Sequence, residues 1–115
     1  MLTIYHNPRC SKSRKALELM EDSGMSFEIH QYLKRPPKVS ELQQIVSLLG
    51  IAPIKMMRTS ESILQELEVK LEDKSDKELL QLMHQHPILI ERPIVFSDKE
   101  ARIGRPPENI LDLLD

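Results

Sequence analysis

His6-Asn7-Pro8-Arg9-Cys10-Ser11-Lys12-Ser13-Arg14 is the stretch that decides the reading of this chain. It carries the only cysteine, at a change of backbone geometry. Leu2-Thr3-Ile4-Tyr5, just before it, is β-branched and aromatic and predicts a strand. Asn7-Pro8 ends that strand, because proline has no N–H for a sheet ladder and restricts the residue before it. From Ser11 to Met20 the spacing predicts a helix with Ala16, Leu17 and Met20 on one face. Cys10 therefore falls in a strand-to-helix turn, at or just before the first helical turn.

That position has chemical consequences. A helix N-terminus offers unpaired N–H groups and a partial positive charge, which favour a thiolate and can cradle an oxyanion. Arg9, Lys12, Arg14 and a protonated His6 are further cations nearby in sequence. A thiol made a hundredfold more acidic than usual would be about 24-fold more ionised at pH 7. Its lower intrinsic nucleophilicity would return about 8-fold of that gain, leaving about threefold. Positioning and oxyanion stabilisation would have to supply most of any acceleration. A turn rich in Asn, Pro, Arg, Ser and Lys is no apolar wall, so Cys10 is read as a reactive thiol rather than an inert buried one.

At 115 residues the chain is expected to be one domain, residues 1–115, with a single core. A net charge of −2 and an aromatic share of 3% offer neither a basic face nor stacking platforms for nucleic acid. No leader pattern opens the chain and no apolar run approaches membrane length, so a cytoplasmic protein without a membrane partner is expected. The four histidines and one cysteine show no metal-ligand spacing. A lone cysteine makes no internal disulfide, so a redox cycle would draw its second thiol from another molecule.

Further along, Ser23-Gly24 stops the first helix, and Phe27 to Leu33 alternates as a half-buried strand, completing a βαβ unit. Ser40 with Gln43 predicts a capping box for a helix carrying Leu42, Ile45, Val46 and Leu49, stopped by Gly50. A short helix follows from Pro53 to Met57, then a weaker one from about Glu61 to Leu67. Ser75 with Glu78 caps another, which Pro87 closes. Pro93 to Ser97 and Glu100 to Gly104 predict a hairpin. A last helix, about Pro107 to Leu114, should turn Ile110, Leu111 and Leu114 inward. The order is βαβ, helices, ββα, an α/β class. Arg92 and Arg105 each precede proline, which holds their backbones extended, while Arg58 ends a short helix before a polar turn. Their forks suit tetrahedral oxyanions, though spacing alone does not bring them together. A Cys-x5-Arg phosphatase loop is ruled out because Ala16 stands at the arginine position, and Ser13 stands where a Cys-x-x-Cys motif needs its second cysteine.

YHNPRCSKSR at the start, QHPILIERPIVF late and RIGRPPENIL at the end, in that order, make the chain similar to the glutaredoxin-linked arsenate reductase (ArsC) family. The CSKSR and RIGRPP wording resembles its YfgD-like chromosomal subgroup. The resemblance implies a thioredoxin-like fold with a mixed four-stranded sheet and an all-helical insertion, about residues 38–87, between its halves. It implies that Cys10 attacks arsenate, that Arg58, Arg92 and Arg105 hold the oxyanion, and that His6, with Ser13 and Arg14 in support, lowers the thiol pKa. By the same likeness Pro93 is the cis proline beside the cysteine. Glutathione would be the co-substrate and glutaredoxin the protein partner of a monomer with no bound cofactor. Lys12 stands where plasmid-type relatives have a small residue, which keeps a second function in view: a thiol oxidoreductase of the same fold acting on another substrate, glutathionylated or an oxyanion. A third is an Spx-like regulator binding RNA polymerase, though Ser13 removes the Cys-x-x-Cys switch of its redox-sensing forms.

Overall fold

The computed structural model describes residues 1–114, which form two compact units: residues 1–35 together with the chain from Arg92 onward, and Pro36–Glu91. The first unit holds the sheet. Strand β1 (Leu2–Tyr5) leads through the cysteine turn into helix α1 (Ser11–Ser23), then β2 (Phe27–His30). After the second unit come β3 (Ile94–Phe96), β4 (Ala101–Ile103) and a 3-10 helix over Pro107–Leu113. The strand order is β2-β1-β3-β4. β1 and β2 run parallel with Leu2 opposite Phe27, while β1–β3 and β3–β4 are antiparallel.

The period-two pattern of β1 explains which face packs. Leu2 and Ile4 join Val95 of β3, Ala16 and Met20 of α1, and Ile110 and Leu113 of the 3-10 helix in one buried cluster. Each large side chain fully buried there stabilises the fold by about 1.5–3 kcal/mol. Tyr5, on the opposite face, meets His30 and Phe96 edge-on, each at 4.9 Å between ring centroids. Gly24 ends α1 in the left-handed region at φ 74°, as the Ser23-Gly24 signal requires.

Three local expectations give way. β2 stops at His30 rather than Leu33, because the chain turns there: the amides of Lys34 and Arg35 both bond to the Gln31 carbonyl. Within β2, Ile29 is 49% exposed while His30 is buried. The closing segment is a 3-10 helix, whose three-residue period puts Ile110 and Leu113 inward and leaves Leu111 45% exposed. Leu114 is partly buried against the same cluster.

The second unit is helical apart from one bridge between Met57 and Ile90. It comprises α2 (Val39–Leu49), α3 (Ser62–Glu66) and α4 (Asp76–Gln85), with 3-10 turns at Pro53–Met56, Leu71–Asp73 and Pro87–Leu89. The Ser75–Glu78 capping box forms in both directions. The Ser40–Gln43 box does not. α2 starts earlier, with Lys38 extended at the cap after Pro36-Pro37, so Ser40 lies inside the first turn. His84 Nδ1 bonds to the Pro37 carbonyl at 2.7 Å, holding the segment before α2 against α4.

Gly104 has a steric role. Its N–H donates to the Pro93 carbonyl at 2.8 Å, and a Cβ placed on it would sit 2.7 Å from Pro93 Cγ. A proline ring cannot swing aside. Gly104→Ala should therefore cost about 1–3 kcal/mol, the range for overpacking a filled interior. Urea unfolding should show a lower midpoint at an unchanged slope. A change within about 0.5 kcal/mol would mean that the two segments yield freely.

Candidate functional site

The cysteine turn is fixed by hydrogen bonds from several directions. His6 N–H reaches the His30 carbonyl at 2.9 Å, extending the β1–β2 pairing by one link. Asn7 then organises the turn: its Oδ1 accepts from Arg9 N–H at 3.0 Å and its carbonyl accepts from Cys10 N–H at 3.0 Å. Its own N–H donates to Ser13 Oγ at 3.0 Å. Arg14 closes the outside by donating Nη1–H to the Pro8 carbonyl at 2.9 Å, and its amide makes the first bond of α1 with the Cys10 carbonyl at 2.9 Å.

Cys10 is the N-cap of α1, at φ −97° and ψ 122°, a position where serine, threonine, aspartate or asparagine usually offers its oxygen to the helix. The thiol makes no capping hydrogen bond of that kind, so the amides act chiefly on the ionised sulfur. The largest influence on its acidity, partial burial, raises the pKa. Hydrogen bonding from the Ser13 amide outdoes it, together with the hydrogen bond and charge of Arg92 and the Lys12 amide. The net direction is down from the ordinary thiol value. Lys12 thus acts through its backbone, while its side chain is exposed.

Arg92 is therefore the cation at the sulfur. Among the cations close in sequence, Arg9 and Arg14 have exposed side chains, and the Arg14 guanidinium is engaged by Pro8. Arg105 joins the same neighbourhood, donating Nη1–H to the Arg92 carbonyl at 3.3 Å, while Asn109 Nδ2 holds the Arg105 carbonyl at 3.1 Å. The Arg92–Pro93 and Arg105–Pro106 peptides are both cis. Arg58 belongs to the other unit, where its Nη1 pairs with Glu61 Oε1 at 3.0 Å. The sequence marks Asn7 only as the partner of Pro8 in ending the strand, not as the organiser of the cysteine turn, and nothing local flags Glu61.

His6 is buried, and its Nδ1 lies 2.7 Å from the fully buried Ser13 Oγ. Burial first, and the Arg14 charge second, lower its pKa from 6.5, outweighing the opposite effect of Glu21. The imidazole is thus neutral at pH 7, and it touches the residue whose amide serves Cys10. Because its folded pKa is depressed, His6 contributes stability that is present above its unfolded value and lost as pH falls through the folded one. His6→Asn should flatten the decline in unfolding free energy below pH 6.5 in a urea series, and parallel declines would contradict this assignment.

Among the described residues no cluster of three or more His, Cys, Asp or Glu side chains could hold a metal ion. A four-stranded mixed sheet, with a cysteine at the β1–α1 junction and a cis proline starting the β-hairpin, defines a thioredoxin-like protein. The chain belongs to the ArsC family, whose sequence profile matches residues 5–113. It is 46% identical over 112 residues to an arsenate reductase of Haemophilus influenzae, spanning 96% of this chain and 97% of that one. YfgD of Escherichia coli is 41% identical over 112 residues, covering 96% and 94%. The structure of an arsenate reductase from Vibrio cholerae matches with a TM-score of 0.90 at 44% identity, over 96% of this chain and 95% of that one.

Proposed function

We propose that this protein is an arsenate reductase that draws its electrons from glutathione and glutaredoxin. The observation that carries the reading is the Cys10 sulfur at the N-terminus of α1, made more acidic by the Ser13 and Lys12 amides and by Arg92. In the first step the thiolate attacks arsenic(V); an As–O bond breaks and water leaves, giving a Cys10–S–As(V) ester. Glutathione displaces a second oxygen as water and forms an As–S bond. A glutaredoxin thiolate then attacks the glutathione sulfur. The S–As bond breaks, its electron pair stays on arsenic as As(III), and the oxidised product is a glutaredoxin–glutathione disulfide. Water hydrolyses the remaining As–S bond, which releases arsenite and restores the thiol.

Arg92, Arg105 and Arg58 hold the oxyanion by charge-assisted hydrogen bonds, which strengthen as negative charge builds on its oxygens during thiolate attack. His6, Ser13 and Arg14 keep the turn in place, and Pro93 fixes the backbone after Arg92. The external thiols set the reaction in the cytoplasm. The test is arsenate-dependent oxidation of NADPH in the presence of glutathione, glutaredoxin and glutathione reductase. Turnover that requires both thiol partners is expected, and its absence with the intact protein would remove arsenate as the substrate.

A further inference from the structure

The strand pairing gathers one sign of charge at one end of the sheet. His6 N–H bonds to the His30 carbonyl, so the chain leaves β1 and β2 at the same end. Tyr5 pairs with Ile94 and Ile94 with Ile103, which brings the entry to β3 and the exit from β4 there too. The segments collected at this end, residues 6–14, 31–35, 92–93 and 104–106, contain no aspartate or glutamate. Glu108, in the closing 3-10 helix, is the first carboxylate beyond Arg105. The opposite end has the reverse sign. Glu21 and Asp22 lie in the last turn of α1, and Asp98 and Glu100 flank Lys99 between β3 and β4.

Arg92 and Arg105 belong to the cysteine site already described. Arg9, Lys12, Lys34 and Arg35 are further cations of the same end, and all four are exposed. Beside them Leu33 is 42% exposed. A hydrated oxyanion gains nothing from a leucine, whereas an apolar spot ringed by charge suits a protein face. The exits of β2 and β4 are three strand spacings apart, about 14 Å, while a fully extended tripeptide spans about 10 Å.

We propose that this end of the sheet is the docking face for the protein thiol that completes the Cys10 cycle, and that the partner's surface around its own thiol is acidic. The inference rests on the reading that an external thiol protein, glutaredoxin, regenerates Cys10. Opposite charge on the two faces speeds their encounter and rejects basic partners.

The test omits arsenate. Cys10, the only cysteine, is first converted to its mixed disulfide with glutathione by exchange with glutathione disulfide. The thiolate of a glutaredoxin whose thiol is ringed by Asp and Glu then attacks the glutathione sulfur. The S–S bond to Cys10 breaks, Cys10 leaves as thiolate, and glutathione stays on glutaredoxin as a disulfide. The second-order rate constant is read by mass spectrometry in wild type and in Arg9→Glu/Lys34→Glu. The double variant should be about tenfold slower at low salt, the low end of what steering supplies. The two proteins should converge at 1 M salt, where the Debye length is about 3 Å. Changing the glutaredoxin carboxylates to lysine should slow the wild type and speed the double variant. Dithiothreitol, which is uncharged, should reduce both proteins at one rate. Equal glutaredoxin rates at low salt would overturn the inference. So would equal slowing with free glutathione, which would make the face a funnel for small anions, or with dithiothreitol, which would place the effect on the sulfur itself. Failure of arsenate turnover while this charge dependence holds would remove the substrate and leave the docking face standing.

Discussion

Cys10→Ser should abolish arsenate turnover, by at least about a thousandfold in kcat, while leaving the fold as stable as before or more so. The two halves of that expectation come from one position. As nucleophile, a serine hydroxyl stays protonated at neutral pH and lacks the soft sulfur that bonds arsenic. As N-cap of α1, serine is preferred, since its oxygen accepts from the free amides that cysteine serves poorly when neutral. Activity and unfolding midpoint should therefore move apart, and inactivity accompanied by unfolding would point to a structural cysteine instead. Residual turnover within about tenfold of wild type would place the nucleophile elsewhere.

Arg92→Ala should raise the Cys10 pKa and lower kcat/KM for arsenate by about 10- to 100-fold, the usual scale for a hydrogen bond to a charged group. The guanidinium acts on the sulfur by both a hydrogen bond and its charge, so both are lost together. Arg92→Lys should fall between the two, keeping a charge without the planar fork. The thiolate titration separates this from simple loss of substrate binding, since it is read without arsenate. An unmoved titration midpoint would mean that the helix amides alone ionise Cys10.

Local signals carried most of the fold. The β-branched run at Leu2–Tyr5, the Asn-Pro break, the glycine stops at Gly24 and Gly50 and the Ser75–Glu78 box each act within a few residues, and each is where the spacing predicts. Two of the misses follow a Pro-Pro pair. Leu111 was expected inward on a 3.6-residue period, but after Pro106-Pro107 the segment winds as a 3-10 helix with a period of three. Ser40 looked like a cap, yet the chain leaving Pro37 was already positioned to start a helix at Val39.

The site divides in the same way. That Cys10 would sit at a helix N-terminus was legible from the residues beside it. Which cation reaches the sulfur was not, because Arg92 comes from the start of the β-hairpin and arrives only through the pairing of β3 with β1. Arg9 and Arg14 are nearer in sequence but their residues are exposed, Arg9 on the turn and Arg14 in the first turn of α1. Arg58 looked available by its place before a polar turn, and only the folded chain reveals Glu61 against it.

The most direct measurement of the central claim is the ultraviolet titration of the Cys10 thiolate in the intact protein, beside an unstructured peptide carrying the same turn. Cys10 should ionise at lower pH than the peptide cysteine, and Arg92→Ala should recover part of the difference. A protein thiol that ionises together with the peptide, or above it, would contradict a sulfur held ionised by the helix terminus and Arg92.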